Sequence, residues 1–236
     1  KDENLAKVGT RAKAAGEQVT GDPDKAWGEA DVKLDSEYGI PVITHCCLEP
    51  HGQVISWKGN QIEYFPSTQA VSTVASQLGT LIGVPAANIN VTCDHTGGGF
   101  GSKFPPDSWG AEAAQLSKES GGRPVKLYLD RATELTIAGV RPSHYAKIKI
   151  GAKSDGTITS WQSDSWSSGG FGGGGMAPIP YVFVNIPNRR NNHAAVSLNA
   201  GPQRAWRAPN HPQAAYLTCA ALTDLAAKLN MDPLAL

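Results

Sequence analysis

Thr96-Gly97-Gly98-Gly99-Phe100-Gly101-Ser102-Lys103-Phe104 is the stretch that decides the reading of this 236-residue chain. Four of its glycines surround one phenylalanine. Glycine lacks a Cβ, so the backbone there can turn tightly and approach a bulky ligand. Upstream, Ile89–Cys93 predicts a strand that delivers the loop; downstream, Asp107 to Ser120 predicts a helix closed by Gly121-Gly122. A strand-delivered loop with closely spaced N–H groups suits oxyanions or a metal-oxo group. A tight turn that packs Phe100 into a core is the plainer alternative.

Two phosphate-binding patterns fail against this stretch. A P-loop needs Gly-Lys followed by Ser or Thr, and here Ser102 separates Gly101 from Lys103. The dinucleotide pattern fails because its last glycine falls on Ser102. That pattern does occur at Gly170, Gly172 and Gly175, but Met176-Ala177-Pro178-Ile179-Pro180 follows and cannot open the helix that would hold a pyrophosphate.

Working outward, Val54–Trp57 and Gln61–Phe65 predict a hairpin turning at Lys58-Gly59-Asn60. Ser67 or Thr68 then caps a helix through Leu81, with Val71, Val74, Ala75, Leu78, Leu81 and Ile82 on its apolar face and Gly83 as its stop. Val125–Asp130, His144–Ala152, Thr157–Trp166, Tyr181–Ile186 and His193–Leu198 read as strands, and Pro212 opens a last helix. Strands and helices mixed without a βαβ rhythm predict an α+β fold. Residues 1–37 are polar and read as a linker and the tail of a preceding domain, with one domain over 38–236. The Ser/Gly-rich segment 167–180 reads either as a flexible surface loop or as a loop ordered by a cofactor or partner.

Composition narrows the function. With 21 basic and 21 acidic residues there is no positive excess to neutralise a phosphate backbone, which argues against nucleic acid. No apolar run approaches the roughly 20 residues of a membrane helix. Lys1-Asp2-Glu3-Asn4 carries neither an initiator Met nor a signal sequence, so the chain is expected to begin partway through a longer protein or after processing. Cys46, Cys47, Cys93 and Cys219 match neither a zinc site nor a plant-type iron–sulfur pattern and read as small buried side chains.

Several further segments stand in a telling order. Thr44-His45-x-x-Leu48-Glu49-Pro50, Ser67-Thr68-Gln69, the glycine loop, Leu127–Arg131, Ile186-Pro187-Asn188 and Gln203-Arg204-Ala205-Trp206-Arg207-Ala208-Pro209 follow one another. Together they resemble the molybdopterin-binding large subunit of the xanthine dehydrogenase and aldehyde oxidase family, from about Asp22 to the last residue. Ser102 replaces one glycine of that family's loop, and Trp206 replaces its Phe.

The resemblance implies an α+β molybdopterin cofactor-binding domain, incomplete within this chain. The cofactor would be molybdopterin, in its plain or cytosine dinucleotide form, with [2Fe-2S] clusters and FAD on partner chains or domains. It implies that Gln69 hydrogen-bonds a molybdenum ligand, that the backbone of Gly98, Gly99, Phe100 and Gly101 lines the metal's oxo side, and that Arg207 lies beside the centre. Gln69, Phe100 and Arg207 would thus contact ligands of the metal and not the metal itself. Phe104 and Pro209 fall at substrate-binding positions where purine-oxidising members carry Glu and Phe, which points to an aldehyde or an apolar N-heterocycle. The family's catalytic Glu is expected beyond Leu236, neither Glu49 nor Glu112 standing at its motif, so the segment by itself is expected to be inert. The compartment, cytoplasm or periplasm, stays open. The alternative class is a non-catalytic module: a carbohydrate-binding face with Trp57, Trp161 and Trp166 as stacking platforms, or a scaffold that docks an iron–sulfur subunit.

Overall fold

A computed structural model of the chain describes residues 8–183 and 185–236. In chain order its main elements are β1 (Ala12–Ala14), β2 (Gln18–Thr20), α1 (Pro23–Gly28), β3 (Val32–Ile40), β4 (Ile43–Thr44), β5 (Gly52–Lys58), β6 (Gln61–Pro66), α2 (Val71–Ile82), β7 (Ile89–Val91), α3 (Asp107–Glu119), β8 (Val125–Tyr128), α4 (Arg131–Ile137), β9 (Val140–Arg141), β10 (Ser143–Ala152), β11 (Ile158–Ser168), β12 (Asn188–Val196) and α5 (His211–Leu229). The α+β expectation holds. These elements fall into two compact units: a first from residues up to Ile43, 140–203 and 208–236, and a second from 44–139 and 204–207.

The first unit is built on a sheet ordered β1-β12-β11-β10-β3, with β2 also paired to β12; β11 and β12 run parallel and the other pairs antiparallel. Strand alternation turns Ala146, Ile148 and Ile150 of β10 and Leu34 of β3 inward, where Leu217, Ala221 and Leu225 of α5 meet them. Each such Leu or Ile, fully buried, contributes about 2 kcal/mol. β3 pairs with β10 from Val32↔Ala152 to Ile40↔His144 without a break, so the boundary expected after residue 37 falls inside this strand. Its outward charges hide it in composition: Asp35 and Glu37 form cross-strand pairs with Lys149 and Lys147, each at 3.7 Å. Residues 1–7 of the expected tail lie outside the described residues.

Other expectations need correction. No strand forms over the described part of 181–186 (Val184 lies outside it), because Tyr181 N–H bonds the Thr218 hydroxyl, at 2.8 Å, and not a neighbouring strand. β12 starts at Asn188, before the expected His193, since pairing to β11 on one side and β2 on the other overrides the low strand propensity of its asparagines. Trp161 is fully buried in the core and offers no stacking platform. Of the cysteines only Cys47 is buried; Cys46 and Cys219 are exposed.

The second unit carries a sheet ordered β7-β6-β5-β8. The expected hairpin is β5–β6, closed by Lys58↔Gln61 with Gly59 at φ 64°. Ile55, Ile62 and Tyr64 of this hairpin pack with Val74 and Leu78 of α2 and Ala113 and Ala114 of α3. α2 begins at Val71 with no side-chain cap on its first turn: the Ser67 hydroxyl donates to Glu49, and the Thr68 hydroxyl accepts from Ala70 N–H, one residue ahead of the helix, at 3.0 Å. Val71 and Leu81 are exposed, and Gly83 at φ 71° ends the helix. The strand expected to reach Asp130 stops at Tyr128, and Asp130 instead caps the unexpected α4, accepting from Thr133 N–H at 2.8 Å.

Candidate cofactor site

β7 and α3 deliver the two ends of the glycine loop, and every group described in this section except Pro209 lies within the second unit. Within the loop, Gly98, Phe100 and Gly101 have φ of 94°, 54° and 110°, a left-handed path that explains two of the glycines and makes Phe100 a strained exception. A Cβ on Gly99 would land on the side-chain amide of Gln69, and one on Gly101 on the carbonyl of Ala205. The glycines are therefore required by protein neighbours as well as by any ligand.

Gln69 meets the loop through both its backbone and its side chain. Its N–H bonds the Lys103 carbonyl at 2.7 Å, and its Oε1 accepts from Gly101 N–H at 2.8 Å. That bond settles which way the amide points, so the Nε2 hydrogens face away from Gly101. Arg207 joins through its backbone, its N–H donating to the Phe100 carbonyl at 2.8 Å. The N–H groups of Gly98, Gly99 and Phe100 make no hydrogen bond among the described residues, although Gly99 is buried. Phe104 is half exposed at the loop's end, and its carbonyl accepts from the Thr68 hydroxyl at 3.4 Å. Pro209 belongs to the first unit, just ahead of α5, and is exposed.

Buried polar groups hold the loop from beneath, and sequence reasoning missed most of them. Ser102 is fully buried and its carbonyl takes two donors, Arg204 Nη1 at 2.8 Å and His51 Nε2 at 3.2 Å. Arg204 is a two-pronged partner of Asp107 and stacks its guanidinium 5.6 Å from the Trp109 ring. His51 lies 3.2 Å from Glu134 Oε1, and Arg131 Nη1 holds the other Glu134 oxygen at 3.1 Å. Burial pushes the His51 imidazole down to about 4 and the Glu134 carboxyl upward. His45 donates from Nε2 to the Ala205 carbonyl at 2.7 Å and stacks on Trp206 at 4.7 Å, tying Thr44–Glu49 to the Arg204–Arg207 segment. Lys103 is also buried, its ammonium bonded to Glu49 and Ser67. No periodicity marks a lysine or histidine for burial, since such residues are ordinarily exposed or half exposed; the motif spacing was the one available signal.

Set against known proteins, the chain matches the family model described as molybdopterin cofactor-binding domain over residues 7–236, and it belongs to that family. The aldehyde oxidoreductase molybdenum-binding subunit PaoC of Escherichia coli (strain K12) is 30% identical over 215 residues, covering 90% of this chain and 29% of that protein. Indole-3-acetaldehyde oxidase of Zea mays is 29% identical over 225 residues, covering 90% of this chain and 16% of its own length. Among solved structures, the aldehyde oxidoreductase of Desulfovibrio gigas matches with a TM-score of 0.72 at 25% identity over 92% of this chain and 25% of that one. Quinoline 2-oxidoreductase of Pseudomonas putida 86 shares the fold, with a TM-score of 0.76 at 18% identity over 93% of this chain and 30% of its own. The chain spans less than a third of the length of these curated relatives. The xanthine dehydrogenase and aldehyde oxidase resemblance read from the motifs is borne out.

Proposed function

We propose that this chain forms part of the molybdopterin site of a molybdenum hydroxylase whose substrate is an aldehyde or an apolar N-heterocycle. The observation that carries the reading is the group of unbonded N–H donors at Gly98, Gly99 and Phe100 beside an amide whose own oxygen is already engaged by Gly101. Backbone N–H groups that have no protein acceptor among the described residues are free to donate to the oxygens of a ligand. The donor set is backbone N–H and carboxamide, which suits the oxygen atoms around a pterin-held metal and would not ligate the metal directly. Gln69 Nε2, the loop N–H groups and Arg207 would hold the cofactor, in its plain or cytosine dinucleotide form.

When bound, the cofactor supplies the two-electron oxidation, with water as the source of the added oxygen. The protein's own groups bind and orient. The loop donors stabilise negative charge on the cofactor's oxygens, and the uncharged Phe104 ring offers stacking to a flat or apolar substrate. Glu49 is a poor candidate for the general base, because the donors on its Oε2 and the charge of Lys103 hold its carboxyl below its ordinary value and weaken it as a proton acceptor. The base, the rest of the pocket, the [2Fe-2S] clusters and any FAD are contributed by other parts of the longer protein or its partners, and the segment alone turns over no substrate.

The test is molybdenum by plasma mass spectrometry on the full-length protein from its native source, beside a Gln69→Ala form. About one metal per chain in the native form, a clear loss in the variant, and turnover of an aromatic aldehyde but not of a purine are expected. No metal in the native protein overturns the cofactor reading, and preferred turnover of a purine overturns the substrate reading.

A further inference from the structure

We propose that Glu49 is a positioning residue: its carboxylate is a clasp that gathers both ends of the glycine loop at one oxygen and so sets the spacing of the loop's N–H donors. The proposal rests on the cofactor reading for what those donors face, but the clasp itself is a property of this chain. Glu49 Oε2 accepts from Gly97 N–H at 2.6 Å, from the Ser67 hydroxyl at 2.7 Å and from the Lys103 ammonium at 3.3 Å. Gly97 and Lys103 stand at opposite ends of the loop, six residues apart, a separation that an extended chain would stretch to about 20 Å. Both bond the same atom.

The other side of the clasp is equally committed. Lys103 Nζ donates to the Glu49 carbonyl at 2.7 Å and to Ser67 Oγ at 2.7 Å as well as to the carboxylate, which uses all its hydrogens. Its side chain is fully buried, whereas that of Glu49 keeps 26% of its surface exposed. The ammonium therefore has no access to water if its partner is removed, and the loop must rearrange to supply another. Burial opposes charge on Glu49, but the hydrogen bonds from Ser67 and Gly97 and the charge of Lys103 outweigh it and hold the carboxyl below its ordinary value. Gly97 belongs to this arrangement too. A Cβ there would strike the Glu49 side chain, so that glycine is needed for the close approach of the carboxylate. Two residues beyond Ser67, Gln69 N–H bonds the Lys103 carbonyl, so the clasp also sets the distance between the Gln69 amide and the loop.

A positioning role differs from a merely structural one in what survives when both charges are removed together. The experiment compares the full-length protein with Glu49→Gln and with the double form Glu49→Gln/Lys103→Met, reading three quantities: the thermal midpoint, hydrogen–deuterium exchange over 97–103, and molybdenum retained after gel filtration. Glu49→Gln is expected to lower the midpoint, to speed exchange at least tenfold at Gly101 and Ser102, whose N–H groups are bonded to Gln69 Oε1 and the Gly99 carbonyl, and to lose most of the metal. The double form no longer buries an unpaired ammonium, so its midpoint recovers toward that of the native protein. Its loop exchange stays fast and its metal retention low. A double form with native exchange and native retention overturns the proposal, as does a Glu49→Gln form with unchanged exchange. If the native protein carries no molybdenum, the cofactor reading fails by itself, while the exchange comparison still decides the clasp.

Discussion

Gly-Gly-Phe-Gly occurs at 98–101 and again at 169–172, and the two copies fold differently. In the first, the phenylalanine itself takes the left-handed backbone, at φ 54°; in the second only the flanking Gly170 and Gly172 do, at 78° and 90°, and Phe171 stands 80% exposed. The first copy is bracketed by side chains, with Glu49 on Gly97 and Gln69 on Gly101. The second is held by backbone: Phe171 N–H to the Ala200 carbonyl and Leu198 N–H to the Gly170 carbonyl, each at 3.0 Å. A tetrapeptide this permissive takes whatever path its bonding partners impose. The polar groups near the two copies differ in the same sense. Beside the first, Lys103 has a partner for every hydrogen. In the unit that carries the second, His144 is buried with no hydrogen-bond partner on either ring nitrogen among the described residues.

The sharpest way to break this contrast is to add one methyl group to each copy. Gly101→Ala combines φ 110° with a Cβ only 2.7 Å from the Ala205 carbonyl carbon, and a loss of about 3 kcal/mol or more is expected in denaturant unfolding. Gly172→Ala shares the unfavourable φ, at 90°, but its Cβ meets nothing within 4 Å, so about 1 kcal/mol is expected. Equal costs would mean that backbone strain alone distinguishes neither copy and that their packing is equivalent.

Acid titration sharpens the second half of the contrast. Burial, with the neighbouring His193 adding to it, pushes the His144 imidazole down to about 3 from 6.5. Below pH 6.5 the unfolded chain takes up this proton and the folded chain does not until about pH 3. Stability from this group is therefore whole above pH 6.5 and falls with pH by up to about 1.4 kcal/mol per unit. His51, pushed down to about 4, acts in the same direction, whereas the depressed carboxyl of Glu49 acts only below the ordinary carboxylate range. His144→Leu is expected to flatten the limb between pH 6.5 and 4 in stability measured against pH. An unchanged slope would show that His144 finds a partner in solution. The smallest effect is expected at Phe171→Ala, within about 0.5 kcal/mol, because the ring is mostly in water.

Much of the second unit was legible in advance. The β5–β6 hairpin, α2 and α3 carry strong periodic or turn signals, and structure and sequence agree on them to within a few residues. β3 and the start of β12 were not, because charged and amide side chains occupy their outward or mid-sheet positions and only pairing with β10 and β11 makes them strands. At the site, Gln69, the loop and Arg207 were named from their motifs, and the structure brings them within hydrogen-bonding reach of one another. The clasp of Glu49, Ser67 and Lys103, and the His51–Glu134 pair beneath Ser102, were not foreseen as contacts.

By itself the sequence determined the family, through the order of short motifs, and the flexibility of the loop, through its glycines, since both are properties of covalent structure and local conformation. Only the tertiary structure decided which atoms restrain that flexibility. Glu49, Ser67 and Lys103 are separated by 18 and 36 positions, and nothing local can announce that their polar atoms meet around a fully buried ammonium. There each buried donor must find a partner. That requirement, acting over long range, gives the permissive loop a single shape.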